Sequence, residues 1–486
     1  MDTPQITDIF HFDNTYKSLP PLFYKEIRPA KVPSPDLIVL NEDLMGNLQL
    51  NPTEDKLWAS ILSGQSLPVG SFPLAQAYAG HQFGYFTMLG DGRAILLGEH
   101  VTNSGERFDI QLKGSGKTPY SRNGDGRATL KSMLREYLFS EAIYHLGIPT
   151  SRSLAVVKTG EKVYREAINE GAVLTRIMTS HLRIGTFEFA RYFGTIEDLQ
   201  RLLEYTLHRH YPELKTENNP ALSLLDRVMN KQIDLIIQWM RVGFIHGVMN
   251  TDNTSIFGET FDYGPCAFMN TFHPDTVFSS IDHGGRYSFG NQPKIIKWNL
   301  AKLAESLLPL VDSKEDRAIT LAVDTINKFD EIFTSRWHQM MANKLGIAHP
   351  TSQDYHLVDE LLHSMRVEKT DYTNIFNALR QESIHENHPF SNGLLGEWHK
   401  KWKERIGNTQ NDWENATRLM RRSNPVFIPR NIHVENALNL AVQGDFSIWS
   451  ALFKAIKAPY DDHEELKKFQ SFETSYDQKY QTFCGT

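Results

Sequence analysis

Cysteine is nearly missing from this chain: Cys266 and Cys484 are the only two among 486 residues. Two thiols cannot build a disulfide framework or a cysteine-rich zinc site. Long apolar runs are missing as well. No stretch approaches the ~18 consecutive apolar residues of a membrane span, so none is expected. Met1–Pro20 lacks a basic run and an apolar run and contains Asp2, Asp8 and Asp13, which argues against a secretory or mitochondrial leader. Positive charge is not in excess: 51 Lys and Arg face 58 Asp and Glu, a net charge of -7, so no nucleic-acid footprint is expected. Neither an internal repeat nor a low-complexity tract is visible. These absences leave a protein of the reducing cytoplasm, without membrane or nucleic-acid partners. With 40% hydrophobic and 11% aromatic residues, it can bury a large core.

The pattern changes along the chain. Glycine and short β-like runs concentrate in the first part. Gly84–Leu89 and Ala94–Gly98 read as strands joined by the tight-turn signal Gly90-Asp91-Gly92. Phe108–Lys113 alternates apolar and polar residues, as a strand does. Thr129–His145 carries Leu130, Met133, Leu134, Tyr137, Leu138 and Ile143 at helical spacing, and Gly147 and Pro149 stop it. Ser153–Val157 and Val173–Met178 read as further strands. Beyond residue 180 helices dominate. Thr195 is a candidate N-cap with Glu197 and Asp198 in the first turn. Leu222–Val242 has one apolar stripe, ended by Gly243. Further helical patterns cover 298–311, 314–346, 355–383 and most of 410–480, and His210–Pro220 reads as a connecting loop. An α+β fold of two lobes is expected. It divides into a β-rich lobe (1–180), a helical lobe (181–345) and a helical extension (346–486).

Gly114-Ser115-Gly116-Lys117-Thr118 looks like the end of a phosphate-binding P-loop, but that motif needs a glycine where Gln111 stands. Gly90-Asp91-Gly92-Arg93 reads either as a hairpin turn or as a glycine loop over a nucleotide. Lys113 ends a strand, and Glu136 follows on the next helix. Kinases use a strand lysine and a helix glutamate as an ion pair that aims the lysine at phosphate. Asp125 and Gly126 precede that helix, where backbone N–H groups favour an anion. Arg176 and Arg183 flank the lobe junction, and guanidinium forks suit phosphate. The strongest local signal is His246-Gly247-Val248-Met249-Asn250-Thr251-Asp252-Asn253, followed by Asp262-Tyr263-Gly264. A carboxylate and an amide oxygen can hold a divalent ion that bridges phosphates. Asp262-Tyr263-Gly264 is similar to the kinase DFG triplet, and Asn253 to the catalytic-loop asparagine. One departure stands out. The base aspartate of a kinase sits five residues before that asparagine, and here the position is Val248, which cannot accept a proton. The nearest carboxylate is Asp252.

Together GDGR, QLKGSGKTPYSRNGDGRA, SHLRIGTFEFA, FIHGVMNTDN and FDYGP resemble the selenoprotein O / YdiU family, from about residue 70 to 300 and more weakly beyond. The resemblance implies a protein-kinase-like fold that binds ATP flipped, with the γ-phosphate buried and the α-phosphate facing the acceptor. AMP then passes to Ser, Thr or Tyr hydroxyls of proteins and pyrophosphate leaves. It implies that Gly90, Gly92, Arg93, Lys113, Asp125, Gly126, Arg176 and Arg183 hold the nucleotide and that Glu136 orients Lys113. Asn253 and Asp262 would bind Mg2+ or Mn2+, Asp262 contacting the nucleotide too, and Asp252 would accept the proton. The resemblance admits UTP as well as ATP. It also places a cysteine near the C-terminus, at Cys484, and suggests a reversible Cys266–Cys484 disulfide. Two other readings stay open at this point: a phosphotransferase with ATP in the usual orientation, which Val248 disfavours, and a silent nucleotide-binding scaffold, which the set Lys113, Asn253 and Asp262 disfavours.

Overall fold

The alternation noted in Phe108–Lys113 does form a strand: Phe108, Ile110 and Leu112 pack in the cluster around Trp58, while Asp109, Gln111 and Lys113 face the other side and bond with Arg209, Arg176 and Glu136. The computed structural model describes residues 9–380, 388–407, 409–462, 464–471, 476 and 480–482. The strands are β1 (Tyr24–Glu26), β2 (Asp36–Leu40), β3 (Leu74–Gln76), β4 (Ala79–Gln82), β5 (Tyr85–Met88), β6 (Ala94–Val101), β7 (Arg107–Lys113), β8 (Ala128–Thr129), β9 (Arg152–Tyr164), β10 (Ile168–Met178), β11 (Phe244–Ile245) and β12 (Ala267–Phe268). Eight of them make one antiparallel sheet in the order β1-β3-β6-β7-β10-β9-β2, with β8 on β10. Neighbouring residues along a strand face opposite sides. Leu96, Val156 and Leu174 accordingly pack with Met133, Tyr137 and Leu138 of α3 (Leu130–His145). Leu97, Val157 and Val173 pack instead with Leu44 of α1 (Glu42–Asn47) and Trp58 of α2 (Asp55–Leu62).

The rest is helical: α4 (Ile184–Phe193), α5 (Ile196–His210), α6 (Pro220–Val242), α7 (Gln292–Val311), α8 (Glu315–Asn327), α9 (Phe329–Lys344), α10 (Ser352–Glu368), α11 (Tyr372–Ala378), α12 (Gly393–Ile406), α13 (Gln410–Ser423), α14 (Asn431–Ala441) and α15 (Ser447–Ile456). Thr195 caps α5: its hydroxyl accepts from Asp198 N while the Asp198 carboxylate accepts from Thr195 N. Gly243 ends α6 at φ 74, a left-handed conformation that glycine takes without a Cβ penalty. The architecture is the two-lobed, kinase-like α+β fold expected from the sequence. A sheet carrying a lysine on β7 and a glutamate on α3 sits above a helical body whose long α6 leads into the loop between β11 and β12. The C-terminal helices brace the sheet lobe, since Trp449 and Phe453 of α15 pack on Tyr137 of α3 at 5.7 and 5.5 Å between ring centres.

Several expectations change. Gly84–Leu89 and Ala94–Gly98 are both extended but do not form a hairpin with each other. β5 pairs with β4 in a separate two-stranded sheet, while β6 joins the main sheet between β3 and β7. Gly90-Asp91-Gly92 is therefore a loop between sheets and not a hairpin turn. The segment His210–Pro220 is not all loop: Pro212–Thr216 is a 3-10 turn and Pro220 already begins α6. The pattern over 314–346 splits at Lys328, where the chain bends so that Ile326 and Phe329 both reach the core. The pattern over 355–383 breaks after Glu368, where Lys369 turns left-handed at φ 52, and its last residues lie outside those described. Between α13 and α14 residues 424–430 are not helical.

Candidate active site

Strand β7 ends at Lys113 and pairs with β10, which carries Arg176; α3 carries Glu136 beneath both. Buried charges must find partners. Lys113 Nζ donates to Glu136 Oε2 and to Asp262 Oδ1, each at 2.7 Å. Arg176 Nη2 donates to Glu136 Oε1 at 2.6 Å and to Asp262 Oδ1 at 2.5 Å. Two cations thus share two carboxylates, and residues 149 and 86 positions apart in sequence meet. Burial by itself would raise the Asp262 carboxyl, but Arg176, Lys113 and Arg183 outweigh it and hold Asp262 well below the usual carboxylate range. Glu136 behaves likewise: burial opposes, and Lys113 and Arg176 keep it ionised. Asp262 sits at φ 60, a region aspartate visits more readily than most side chains.

The loop after β11 is fixed from behind. His246 Nδ1 faces Val248 N at 3.4 Å, so the ring donates from Nε2 to Phe261 O at 2.9 Å, joining this loop to the residue before Asp262. Burial keeps that imidazole neutral by lowering its pKa. Asn253 Nδ2 donates to Val248 O at 3.1 Å, which commits the amide nitrogen and leaves the oxygen as the atom that could face a cation. Arg183 precedes α4. Its guanidinium donates to Asp252 O at 3.0 Å, stacks over Tyr78 at 4.0 Å, and lies 3.9 Å from Asp91 Oδ1.

These groups line a cavity of about 510 Å³ between the lobes. Gly90, Gly92, Arg93, Lys113, Asp125, Gly126, Arg176, Arg183, Asp252, Asn253 and Asp262 all border it, whereas Glu136 stands behind Lys113. Gly90 and Gly126 are glycines for a reason of space. At φ 133 a Cβ on Gly90 would lie 2.4 Å from the Tyr120 ring, and one on Gly126 would collide with the Gly116 carbonyl. Asp125 faces the cavity wall already paired with Arg165, at 2.8 and 2.9 Å.

Asp252 is almost fully buried, and Gln82 Nε2 lies 3.5 Å from its Oδ2 while Oδ1 has no hydrogen-bond partner. Burial pushes this carboxyl up to about 7, against the pull of Arg183. Oxygen donors of Asp252, Asn253 and Asp262 form a set that suits a hard divalent cation. That β4 walls this residue is not visible in the order of residues, because Gly80 and Asp252 lie far apart in the chain. A Cβ on Gly80 would lie 2.5 Å from Asp252 Oδ1, and one on Gly185 would collide with Ala79 O. Gly80→Ala is therefore expected to displace the carboxylate and lower kcat by about tenfold or more. Nucleotide affinity should change little; a kcat within twofold of the parent in steady-state kinetics would show that Asp252 has room to move.

Behind the same loop, His81 Nδ1 and Glu188 Oε1 form a short hydrogen bond, and His81 N donates to Thr251 Oγ1 at 2.7 Å. Burial pushes Glu188 from an ordinary 4.5 up to about 7. A raised carboxyl pKa stabilises the fold fully below pH ~4.5, and that contribution is lost as pH rises through about 7. Glu188→Gln, which stays neutral, is expected to match the parent at pH 4.5. Above pH 7 it should exceed the parent by on the order of 3 kcal/mol, read from denaturant titrations at both pH values. Equal stability differences at both would refute the assignment.

Asp91, Gln82, Gly80, Gly185 and Tyr120 were not legible as site residues, because each acquires its role only through a neighbour distant in sequence. Cys266 is buried just after the Asp262-Tyr263-Gly264 turn, and its carbonyl accepts from Arg135 at 2.6 Å. Cys484 lies outside the described residues.

The sequence profile of a family described as protein adenylyltransferase SelO matches residues 7–457. Proteins named protein nucleotidyltransferase YdiU are similar over nearly the whole chain, well beyond residues 70–300. The one from Pelagibacter ubique (strain HTCC1062) is 51% identical over 480 residues, 98% of this chain and 99% of that protein. That of Brevibacillus brevis (strain 47) is 51% identical over 486 residues, 99% of each. A solved Toxoplasma gondii rhoptry antigen kinase domain is 13% identical, covering 55% of this chain and 81% of that one with a TM-score of 0.21.

Proposed function

Since this chain belongs to the SelO family of protein adenylyltransferases, we propose that it moves AMP from ATP to Ser, Thr or Tyr hydroxyls of other proteins, releasing pyrophosphate. One observation carries the reading: Lys113 and Arg176 both pair with Asp262, and the charge of Arg183 lies near enough to lower that carboxyl further. Once a cation occupies Asp262, Lys113 and Arg176 have only Glu136 between them, an imbalance of one negative charge for two positive ones. A triphosphate tail at the inner end of the cavity would satisfy it, leaving the α-phosphate toward Asp252. The loop from Gly90 to Arg93 and Asp125-Gly126 would line its path with backbone N–H groups.

In this reading Asp252 takes the proton of the acceptor hydroxyl on a carboxylate oxygen. The hydroxyl oxygen bonds to the α-phosphorus and the bond to the pyrophosphate oxygen breaks. Val248, an aliphatic residue where a kinase keeps its base, disfavours γ-phosphoryl transfer. Asn253 and Asp262 would hold Mg2+ or Mn2+, which supplies charge neutralisation for the phosphates when bound. Lys113 and Arg176 would then turn from Asp262 to the phosphates, with Glu136 fixing their positions. UTP in place of ATP, a cytoplasmic location and lobe boundaries near residues 180 and 345 belong to the same proposal. So does a reversible Cys266–Cys484 disulfide, checked by counting thiols before and after reduction.

Incubation with ATP labelled at either the α- or the γ-phosphate tests it. Label from the α-position is expected on protein, and none from the γ-position. γ-Label would instead establish phosphotransfer, and no label from either a binding scaffold.

A further inference from the structure

The β4–β5 hairpin stands apart from the main sheet and bears directly on the catalytic loop. His81 N donates to Thr251 Oγ1, Phe83 N donates to Asn250 Oδ1 at 3.2 Å, and Gln82 reaches Asp252. Antiparallel partners point to the same side of a hairpin. Gly80 and Gln82 meet Asp252, so Thr87 and Tyr85, their partners in register, lie on the face turned to the acceptor end of the site. On the other face, Phe86 packs on Tyr192 and Phe193 of α4 at 4.8 and 6.1 Å.

This hairpin is more apolar and more open than a surface strand should be. Tyr85 is 79% exposed, Met88 48%, Tyr192 53% and Phe193 47%. Among the described residues no strand pairs with the outer edge of β5. Soluble proteins blunt such edges with lysine, proline or a bulge, because a bare apolar edge recruits other strands. The sequence Tyr85-Phe86-Thr87-Met88 has none of these. The rim is positive: the Arg286 guanidinium lies 3.9 Å from the position of a Gly84 Cβ, and Arg191 stands over Tyr192.

We propose that the β5 edge and the aromatic cluster beside it dock an extended segment of the acceptor protein, added to the hairpin as a third strand. The inference rests on the protein-acceptor reading above and deepens it. Main-chain pairing grips an extended backbone with little regard to sequence, and side-chain pockets add the selection. Here the selected features are a large apolar side chain on the Phe86, Tyr192 and Phe193 side and carboxylates near the rim. A segment held there lies one strand spacing outside β5, about 10 Å from β4, and the side chains it presents on the Tyr85 and Thr87 face turn toward the mouth of the cavity.

The test uses short synthetic peptides of alternating Val and Gln with one central Tyr and flanking Glu. A matched set carries Phe for Tyr, and another carries a central Pro that blocks strand pairing. Binding of the hydroxyl-free peptide to the whole protein, read by fluorescence anisotropy, is expected to weaken about tenfold with Phe86→Asp or Tyr192→Asp. The same loss is expected when the unaltered protein meets the Pro peptide, a comparison that involves no variant fold. ATP binding should be unchanged in both variants. The proposal is overturned if the parent binds none of the peptides, if Pro and the two variants have no effect, or if sedimentation shows the edge filled by a second copy of this chain. The two readings fail separately. Binding at this edge without α-label transfer sinks only the transferase reading, and transfer indifferent to Phe86, Tyr192 and Pro sinks only the docking.

Discussion

Asp262→Ala is expected to lower α-label transfer to protein by at least about a thousandfold. The carboxylate does two jobs that no neighbour can take over. Of the two expected cation ligands it is the only firmly ionised one, and it holds Lys113 Nζ and Arg176 Nη2 at 2.7 and 2.5 Å. Its loss has opposite effects on two binding measurements. Divalent-dependent stabilisation by ATP should vanish, because Asn253 contributes only a neutral oxygen. Metal-free nucleotide should bind as well as before or better, because Lys113 and Arg176 no longer have Asp262 to release. Thermal shifts with and without Mg2+ separate the two. Transfer within tenfold of the parent would mean that the charge cluster is structural and the chemistry lies elsewhere.

Glu136→Gln is expected to damage stability and activity together. Glu136 accepts from Lys113 on one oxygen and from Arg176 on the other, and all three side chains are buried. Removing one partner of a buried ionic cluster leaves charge uncompensated, a cost of about 3–5 kcal/mol. The amide can still hydrogen-bond but carries no charge, so Lys113 and Arg176 fall back on Asp262 and compete with the cation for it. Transfer should drop by about a hundredfold or more. Nucleotide gives the diagnostic. The triphosphate supplies the anionic charge that glutamine lacks, so saturating ATP should raise the melting temperature of Glu136→Gln more than that of the parent. Equal shifts for both proteins would argue that the phosphates do not reach Lys113 and Arg176.

The sequence made much of this legible because several requirements are local. Helices α3 and α6 follow from apolar spacing, and their ends from Gly147 and Gly243, since these signals lie within a few turns of chain. Lys113 ahead of Glu136 and the pair Asn253 and Asp262 are recognisable because order and spacing survive in one dimension. The pairing of β5 was not legible. Gly90-Asp91-Gly92 fits a tight turn locally, and only the competition between β3, β4 and β7 for partners decides that β5 joins β4 and β6 joins the main sheet. The break at Lys328 is of the same kind, because helical propensity continues through it and core packing does not.

By itself the chain determined which residues can carry charge, turn sharply or bind a cation, since these are properties of side chains and of backbone without a Cβ. The tertiary structure decided which of them meet. It set Arg176 against the same carboxylates as Lys113, paired Asp125 with Arg165, and walled Asp252 with Gly80 so that burial lifts its carboxyl. Electrostatic shifts and close approach depend on distances across the fold, and distance between remote residues is what sequence order does not contain.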